Sequence, residues 1–400
     1  MKDSNIAREK HGILLLALFI LIIIGGFAFS MYNIEGIVKT GGGAVLSVIR
    51  RQSSVSSVPT SFENYYNSLY SKQPVSLDIF SLTQRALGKH EARNFEVLKS
   101  DDDALYLGGN KDVLDVDKLE KVATQCKAVY DATNEYGGHF IYVQVPFKNV
   151  GVVKELADYS SDITEESESY VDNLIRQKGI PVLDLREYEE CKEYYRTDHH
   201  WTVQSAFNAS GIIANEIQRI YGIDLVGHEY YADMNNYESV SYNNSFLGSI
   251  GIKVGRFFAG KDDFVIYKPK FDTDITFVHK DKKKPFEYAG DFWETFVDQK
   301  MLEDSSYNNK YDANMHGAYV ESIIRNNLAQ NNYRGLLVTH SYGRAMAQYM
   351  SLDYSELRYL DPQKGRYNDN ILEYVREYKP DVVIYMYNNV VNIGDGSWKE

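Results

Sequence analysis

Residues 336–344, Leu-Leu-Val-Thr-His-Ser-Tyr-Gly-Arg, carry an apolar run into a polar turn, and the residues from Ala345 to Met350 that follow read as a helix. A short apolar run bounded by polar, Gly or Pro signals is the pattern of a strand covered on both faces, as in a parallel sheet. The same pattern recurs at 140–145, 181–185, 357–360 and 382–387. Helical spacing lies between the runs. Leu119, Val122, Cys126, Val129 and Tyr130 form one stripe within 113–136, and Ala206, Phe207, Ile212, Ile213 and Ile217 form another within 203–221. This alternation predicts βαβ units and a mostly parallel sheet. Between 225 and 315 the pattern degrades into Asn, Tyr, Lys and Gly, with a charge run at 280–284, so an insertion or a set of long loops is expected there.

The strand-to-helix turn has chemical meaning. A serine at such a turn, here Ser341, exposes its Oγ at the carboxyl end of the strand, and the helix start supplies N–H groups for an oxyanion. Gly343 permits close backbone approach. His340, adjacent to the serine, would point into the sheet. A second strand, within 380–389, ends in amide side chains, where Asn388 is read either as an oxyanion donor or as a loop cap.

The stretch 194–202, Tyr-Tyr-Arg-Thr-Asp-His-His-Trp-Thr, supplies the partners such a serine needs. Residues two apart in an extended or turn segment point the same way, so Asp198 can hold Nδ1–H of His200 while Nε2 faces a substrate. In that geometry His199 points away and supports. Thr202 sits where the N-cap of a helix starting near Val203 belongs. A metal is the minor reading, because three neighbouring ligands cannot all reach one ion without help, and His279 and His316 are isolated in the sequence. A solvated turn is the bland one.

Composition narrows the class. Over 400 residues, 43 Lys plus Arg against 56 Asp plus Glu leave a formal charge of -13, which repels nucleic-acid phosphates. The 33 tyrosines suit sugar contact and ordinary packing alike. Residues 13–29, ILLLALFILIIIGGFAF, carry no charge and follow Lys2, Arg8, Lys10 and His11. The run is long enough to cross a bilayer if 30–32 extend it, and basic flanks lie on the cytoplasmic side. It reads as an uncleaved anchor at 13–32 behind a cytoplasmic tail at 1–12. A cleaved signal peptide is the alternative. Residues 33–60 read as a Gly/Ser linker to an extracellular domain at 61–400. Cys126 and Cys191 would then meet an oxidising compartment, either as one disulfide or as two buried thiols.

Taken together, these blocks resemble the DHHW family of Gram-positive bacteria, related to the alginate-acetylation proteins of the SGNH hydrolase superfamily. The resemblance runs through FIYVQVPFKN at 140–149, GIPVLDLRE at 179–187, YYRTDHHWT at 194–202 and FLGSIGIKVG at 246–255. It continues through NMHGAYV at 314–320, LLVTHSYG at 336–343 and YLDPQKGRY at 359–367. It implies a flavodoxin-like three-layer sandwich in which Asp-x-His precedes the serine. By position, Ser341 matches the nucleophile, His200 the base and Asp198 its partner. Gly343, Asn388, Tyr342 and His199 stand as candidates for the oxyanion or substrate-binding set. The family usually shows Asp-Ser where this chain has His340-Ser341.

The implied reaction is O-acetyl transfer to a cell-surface polysaccharide without a cofactor, beside a membrane-bound O-acyltransferase that exports the acetyl group. An acetylesterase shares the same residues, with water as acceptor. A non-catalytic wall-binding or assembly protein that has kept the fold is the alternative from a different class.

Overall fold

A computed structural model describes residues 74–108, 114–156, 163–280, 285–304, 309–317, 319–362 and 370–388, with isolated positions before them. The chain divides into two compact units, 1–80 and 81–400. The expected tail, anchor and linker lie outside the described residues, isolated positions apart. Among the described residues, no helix is long and apolar enough to cross a membrane.

The second unit is built on an eight-stranded sheet in the order β5-β4-β13-β11-β12-β10-β8-β9. The strands are β4 (His139–Gln144), β5 (Val182–Asp184), β8 (Ile275–Lys280), β9 (Pro285–Gly290), β10 (Glu321–Asn326), β11 (Arg334–Val338), β12 (Glu356–Leu360) and β13 (Val382–Tyr387). The five from β5 to β12 in that order are parallel, and β10, β8 and β9 add on antiparallel. The parallel part coincides within two residues with the apolar runs of the sequence.

The two-residue period of the strands sorts the core into two faces. Ile141, Val143, Leu337, Val382, Ile384 and Met386 point to one side, where they meet α3 (Val203–Tyr221) and α5 (Tyr342–Met350). Phe140, Tyr142, Leu336, Val338, Val383, Tyr385 and Tyr387 point to the other, against α1 (Val116–Asn134), α2 (Thr164–Gln177) and α6 (Ile371–Tyr378). Continuous apolar strands are therefore required, because neither face of the parallel part sees water. Cys126 lies in the second layer and Cys191 in the first, so the two are free thiols on opposite sides of the sheet. Burial raises both, Cys191 to about 12.

Of the two readings of 225–315, an insertion or long loops, the second is corrected by ordered elements. That segment holds the antiparallel pair β6 (Tyr237–Phe246) and β7 (Asp262–Pro269), the short helix α4 (Ser249–Val254), and the edge strands β8 and β9. β6 reads YESVSYNNSF and is largely exposed, and β9 likewise. Strands that bury little carry little apolar pattern, so their periodicity is faint. A three-stranded antiparallel sheet, β1 (Glu91–Ala92), β2 (Val97–Lys99) and β3 (Leu105–Leu107), was not expected from the sequence.

Candidate active site

Ser341 sits just past the carboxyl end of β11 and is the N-cap residue of α5, with φ -54° and ψ -24°. The turn is unstrained. It is tight because Gly343 has no side chain: a Cβ there would fall 2.3 Å from Thr339 Cγ2. The amide N–H of Ser341 has no acceptor among the described residues. The N–H of Gly343 donates to His340 O at 2.9 Å and is therefore committed to the turn.

His340 is buried and faces away from the serine hydroxyl. Its Nδ1 accepts the N–H of Tyr342 at 3.2 Å, and its Nε2 lies 2.8 Å from Asn388 Oδ1. An imidazole that accepts at Nδ1 donates at Nε2, so His340 is neutral, and burial lowers its pKa to about 4. It provides an acceptor for a free N–H of the first helical turn, the task a capping side chain performs.

The segment carrying Asp198 and His200 is folded into a loop closed by an isolated bridge between Tyr194 and Trp201. Thr202 then caps α3, its Oγ1 accepting the N–H of Ser205 at 3.2 Å. The loop is gripped from below by Lys148, whose Nζ lies 2.7–2.9 Å from the carbonyl oxygens of Leu105, Tyr195, Arg196 and Asp198. Asp262 grips it from the side. It accepts the N–H groups of Arg196 at 3.0 Å and Thr197 at 2.8 Å, and the Thr197 hydroxyl at 2.6 Å.

Two contacts sew this loop to the serine turn: Trp201 Nε1 donates to Tyr342 O at 3.1 Å, and the Tyr342 hydroxyl donates to His199 O. Across that seam, His200 Nε2 stands 2.8 Å from Ser341 Oγ, and His200 Nδ1 stands 2.5 Å from Asp198 Oδ1. Asp198 Oδ1 also accepts the N–H of His200 at 2.9 Å, and Oδ2 accepts that of Ser249 at 2.5 Å. The carboxylate is fully buried. Burial alone would raise it, yet His200 and the donors around it hold it well below the usual carboxylate range. His200 is pushed down to about 3 by burial and by His199, against the opposing pull of Asp198, so the resting ring is neutral. An anionic acceptor fixes the proton on Nδ1, which leaves the lone pair of Nε2 toward the serine hydroxyl.

The ring of His200 is held flat between two others. Tyr311 stacks on one side with centroids 4.0 Å apart and 13° between planes, and His199 lies 3.9 Å away. The expectation that His199 points away is thus corrected: adjacent rings in a turn share one side here, and Ser249 Oγ, 2.9 Å from its Nδ1, fixes it. Tyr342 is corrected as well. It is buried as the strut beneath His199, not a group that lines an open substrate surface. Asn388 faces His340, its Oδ1 2.8 Å from His340 Nε2, and its Nδ2 lies 3.4 Å from Pro146 O.

Asp198, His199 and His200 present ligand atoms within 4.8 Å of one another. Those atoms are already engaged: both carboxylate oxygens accept N–H groups, His199 Nδ1 meets Ser249, and His200 bridges Asp198 and Ser341. A metal would have to break this series, so the donor set fits proton transfer better than ligation.

Residues 97–239 match the family model described as SGNH hydrolase-like domain, acetyltransferase AlgX. Over these residues the chain is similar to SGNH hydrolase-like domains of the AlgX type. The match includes Asp198, His199 and His200, and Ser341 lies beyond it. Solved structures agree on the fold. PatB1 of Bacillus cereus, solved with a sulfonyl adduct, superposes at TM-score 0.63 and 18% identity over 77% of this chain and 100% of that one. A DHHW family protein from Eubacterium siraeum superposes at TM-score 0.54 and 16% identity over 74% of this chain and 91% of that one. No curated protein matches the chain.

Sequence reasoning missed the supports of this SGNH hydrolase-like site: Lys148, Asp262, Tyr311 and the pair Gly248-Ser249. The signal for two of them was present, since Lys148 lies in the 140–149 block and Gly248-Ser249 in the 246–255 block. Gly248 is required by closeness, because a Cβ there would lie 2.3 Å from Asp198 Cβ and 2.7 Å from Thr197 O. Gly248→Ala is therefore expected to shift Asp198 and to lower Tm by a few degrees. The check is the low-field proton resonance of His200 Nδ1–H, which should be lost or broadened.

Proposed function

We propose that this protein is a serine-dependent O-acetyltransferase, anchored in a membrane through residues 13–32, which esterifies hydroxyls of a cell-surface polysaccharide. The observation that carries the reading is the continuous series Ser341 Oγ, His200 Nε2, His200 Nδ1 and Asp198 Oδ1 with contacts of 2.8 and 2.5 Å. The domain around it supports the choice of acyl group, since its family model is described as an acetyltransferase.

In this reading His200 Nε2 takes the Ser341 proton as Oγ attacks the carbonyl carbon of an acetyl ester. Asp198 stabilises the imidazolium so formed. The oxyanion is met by the N–H of Ser341 and by the positive end of α5. Collapse breaks the bond to the leaving alcohol, which departs with the proton from His200, and acetyl-Ser341 remains. A sugar hydroxyl then enters, gives its proton to His200 and attacks the acyl carbon. The second collapse returns the proton to Ser341 and releases the acetylated sugar. The membrane-bound acetyl donor expected from the resemblance would serve the first half.

His340, standing where the resemblance leads one to expect an aspartate, is the feature that would favour the non-catalytic alternative. Its bonds to Asn388 and the α5 N-terminus leave Ser341 Oγ to His200. To test the reading, the full chain is given p-nitrophenyl acetate and oligosaccharide acceptors, and the products are followed by mass spectrometry. Acetylated oligosaccharide is the expected product. Acetate alone would make the protein an esterase, and release no faster than from Ser341→Ala would remove the enzyme claim.

Lys148 sets a pH limit. Burial, only partly opposed by Asp198 and Asp262, lowers its pKa to about 8. As an ammonium it offers three N–H donors to four carbonyls, and above about pH 8 it loses one of them. Activity per enzyme is expected to fall as pH rises through 8. The unfolded chain keeps this proton up to about 10.4, so between those values the unfolded state binds more protons and this group makes stability rise, not fall. A kcat/KM profile recorded beside Tm separates the local effect from unfolding. Loss of both together at pH 8 would contradict the assignment.

A further inference from the structure

A cavity of about 580 Å³ opens beside the catalytic loop and has no part in the proton-transfer series. Its volume lies within the range of sites that hold small organic ligands. Three half-buried aromatic rings, Tyr106, Phe147 and Tyr194, line it together with Arg186, Lys192 and Glu165. Tyr106 carries Lys148 Nζ over its ring at 5.0 Å, which fixes the ring against the same lysine that holds Asp198.

The position of the cavity follows from the sheet. Phe147 lies just past the carboxyl end of β4 and Arg186 just past that of β5, while Ser341 lies just past that of β11. β13 is the one strand between β4 and β11. With strands about 4.8 Å apart, the ends of β4 and β11 stand about 10 Å apart along one edge. Ligands of open α/β sheets bind outside that edge. Tyr194, on the cavity wall, opens the loop that ends in His200 and Trp201.

The charges of the cavity are already paired. Arg186 is held by Asp184 at 2.7 and 2.8 Å, by Glu168 at 3.3 Å and by Asp172, and Lys192 pairs with Glu189 at 2.5 Å. The other charged lining residues are engaged as well, Arg196 with Asp262 at 3.3 Å, Lys148 with four carbonyl oxygens and Asp102 with the Ser100 hydroxyl, so with Glu165 added the lining offers hydrogen bonds without a strong net field. Flat apolar rings beside neutralised polar edges suit uncharged pyranose units, whose ring faces are apolar and whose rims are hydroxylated.

We infer that this cavity is a saccharide subsite, which holds an uncharged sugar unit of the acceptor chain while a neighbouring unit presents its hydroxyl at Ser341. The identity of the occupant as acceptor rests on the acetyl-transfer reading. Sugar binding itself does not use Ser341.

The test is calorimetric titration of the full chain, in a detergent without a sugar headgroup, with chitohexaose, cellohexaose and hexagalacturonic acid. One of the two uncharged hexamers is expected to bind, and Phe147→Ala and Lys192→Glu are each expected to weaken it at least about tenfold. Lys192 is partly exposed, so its replacement does not threaten the fold. The inference is overturned if neither uncharged hexamer binds, if both variants bind as tightly as the parent, or if the polyanion alone binds. Hydrolysis of p-nitrophenyl acetate by the same preparation separates the two ideas. Hydrolysis without sugar binding removes the subsite and keeps the enzyme. Sugar binding without hydrolysis removes the enzyme and shows the cavity to be a saccharide site of another kind.

Discussion

Asp198→Asn is expected to lower kcat for acyl-ester turnover by about four orders of magnitude, with the fold retained. The carboxylate accepts at every position the structure uses: two donors from His200 meet Oδ1, and the N–H of Ser249 meets Oδ2. An asparagine must turn its NH2 toward one of these sides. Toward Nδ1 it donates, which moves the ring proton to Nε2 and blocks uptake of the serine proton. Toward Ser249 it sets donor against donor in a site with no water access, and the remaining oxygen lacks the charge that stabilises an imidazolium. Single-turnover kinetics with p-nitrophenyl acetate checks this, and a decrease of less than tenfold would reduce Asp198 to a structural residue.

Ser341→Ala and His200→Ala are each expected to lower turnover by about five to six orders of magnitude, or to the uncatalysed rate where that is reached first. The double variant is expected to be no slower than either single one. Residues that act as one unit lose the whole effect when any member is removed, and the 2.8 Å contact makes Ser341 and His200 such a unit. Additive losses would mean that the two act separately, and the proposed proton path would fail.

The residues of the proposed proton path were legible because each part carried a local signature. Ser341 followed an apolar run, Asp198 and His200 sat two apart before an N-cap at Thr202, and the continuous strands announced a sheet covered on both faces. What holds those residues in place was not legible from periodicity. Lys148 acts through four carbonyl oxygens up to fifty positions away, and Asp262 through two backbone amides and the Thr197 hydroxyl on a distant loop, so neither leaves a local pattern in the sequence. Gly248 matters for the space it leaves beside Asp198, a property that only the folded chain defines. Tyr311 lies 111 positions from the ring it stacks on, in a chain where 33 tyrosines leave no single one conspicuous. β6 and β9 were hidden for another reason, since strands so largely exposed have little apolar alternation to display.

The departure at His340 also acquires a physical reading. An aspartate before the serine would offer an anionic acceptor to the helix start, whereas this histidine offers the neutral Nδ1 and reaches Asn388 with Nε2. The serine keeps its own partner in either case.

If Ser341 carries the acyl group, the acyl-enzyme can be trapped on it. The full chain is mixed with p-nitrophenyl acetate, quenched in acid within the first turnover, digested and analysed by peptide mass spectrometry. A 42 Da increase is expected on the peptide that contains Ser341, absent from Ser341→Ala and from His200→Ala. An acetyl group found only on other residues, or found equally in those variants, would contradict it.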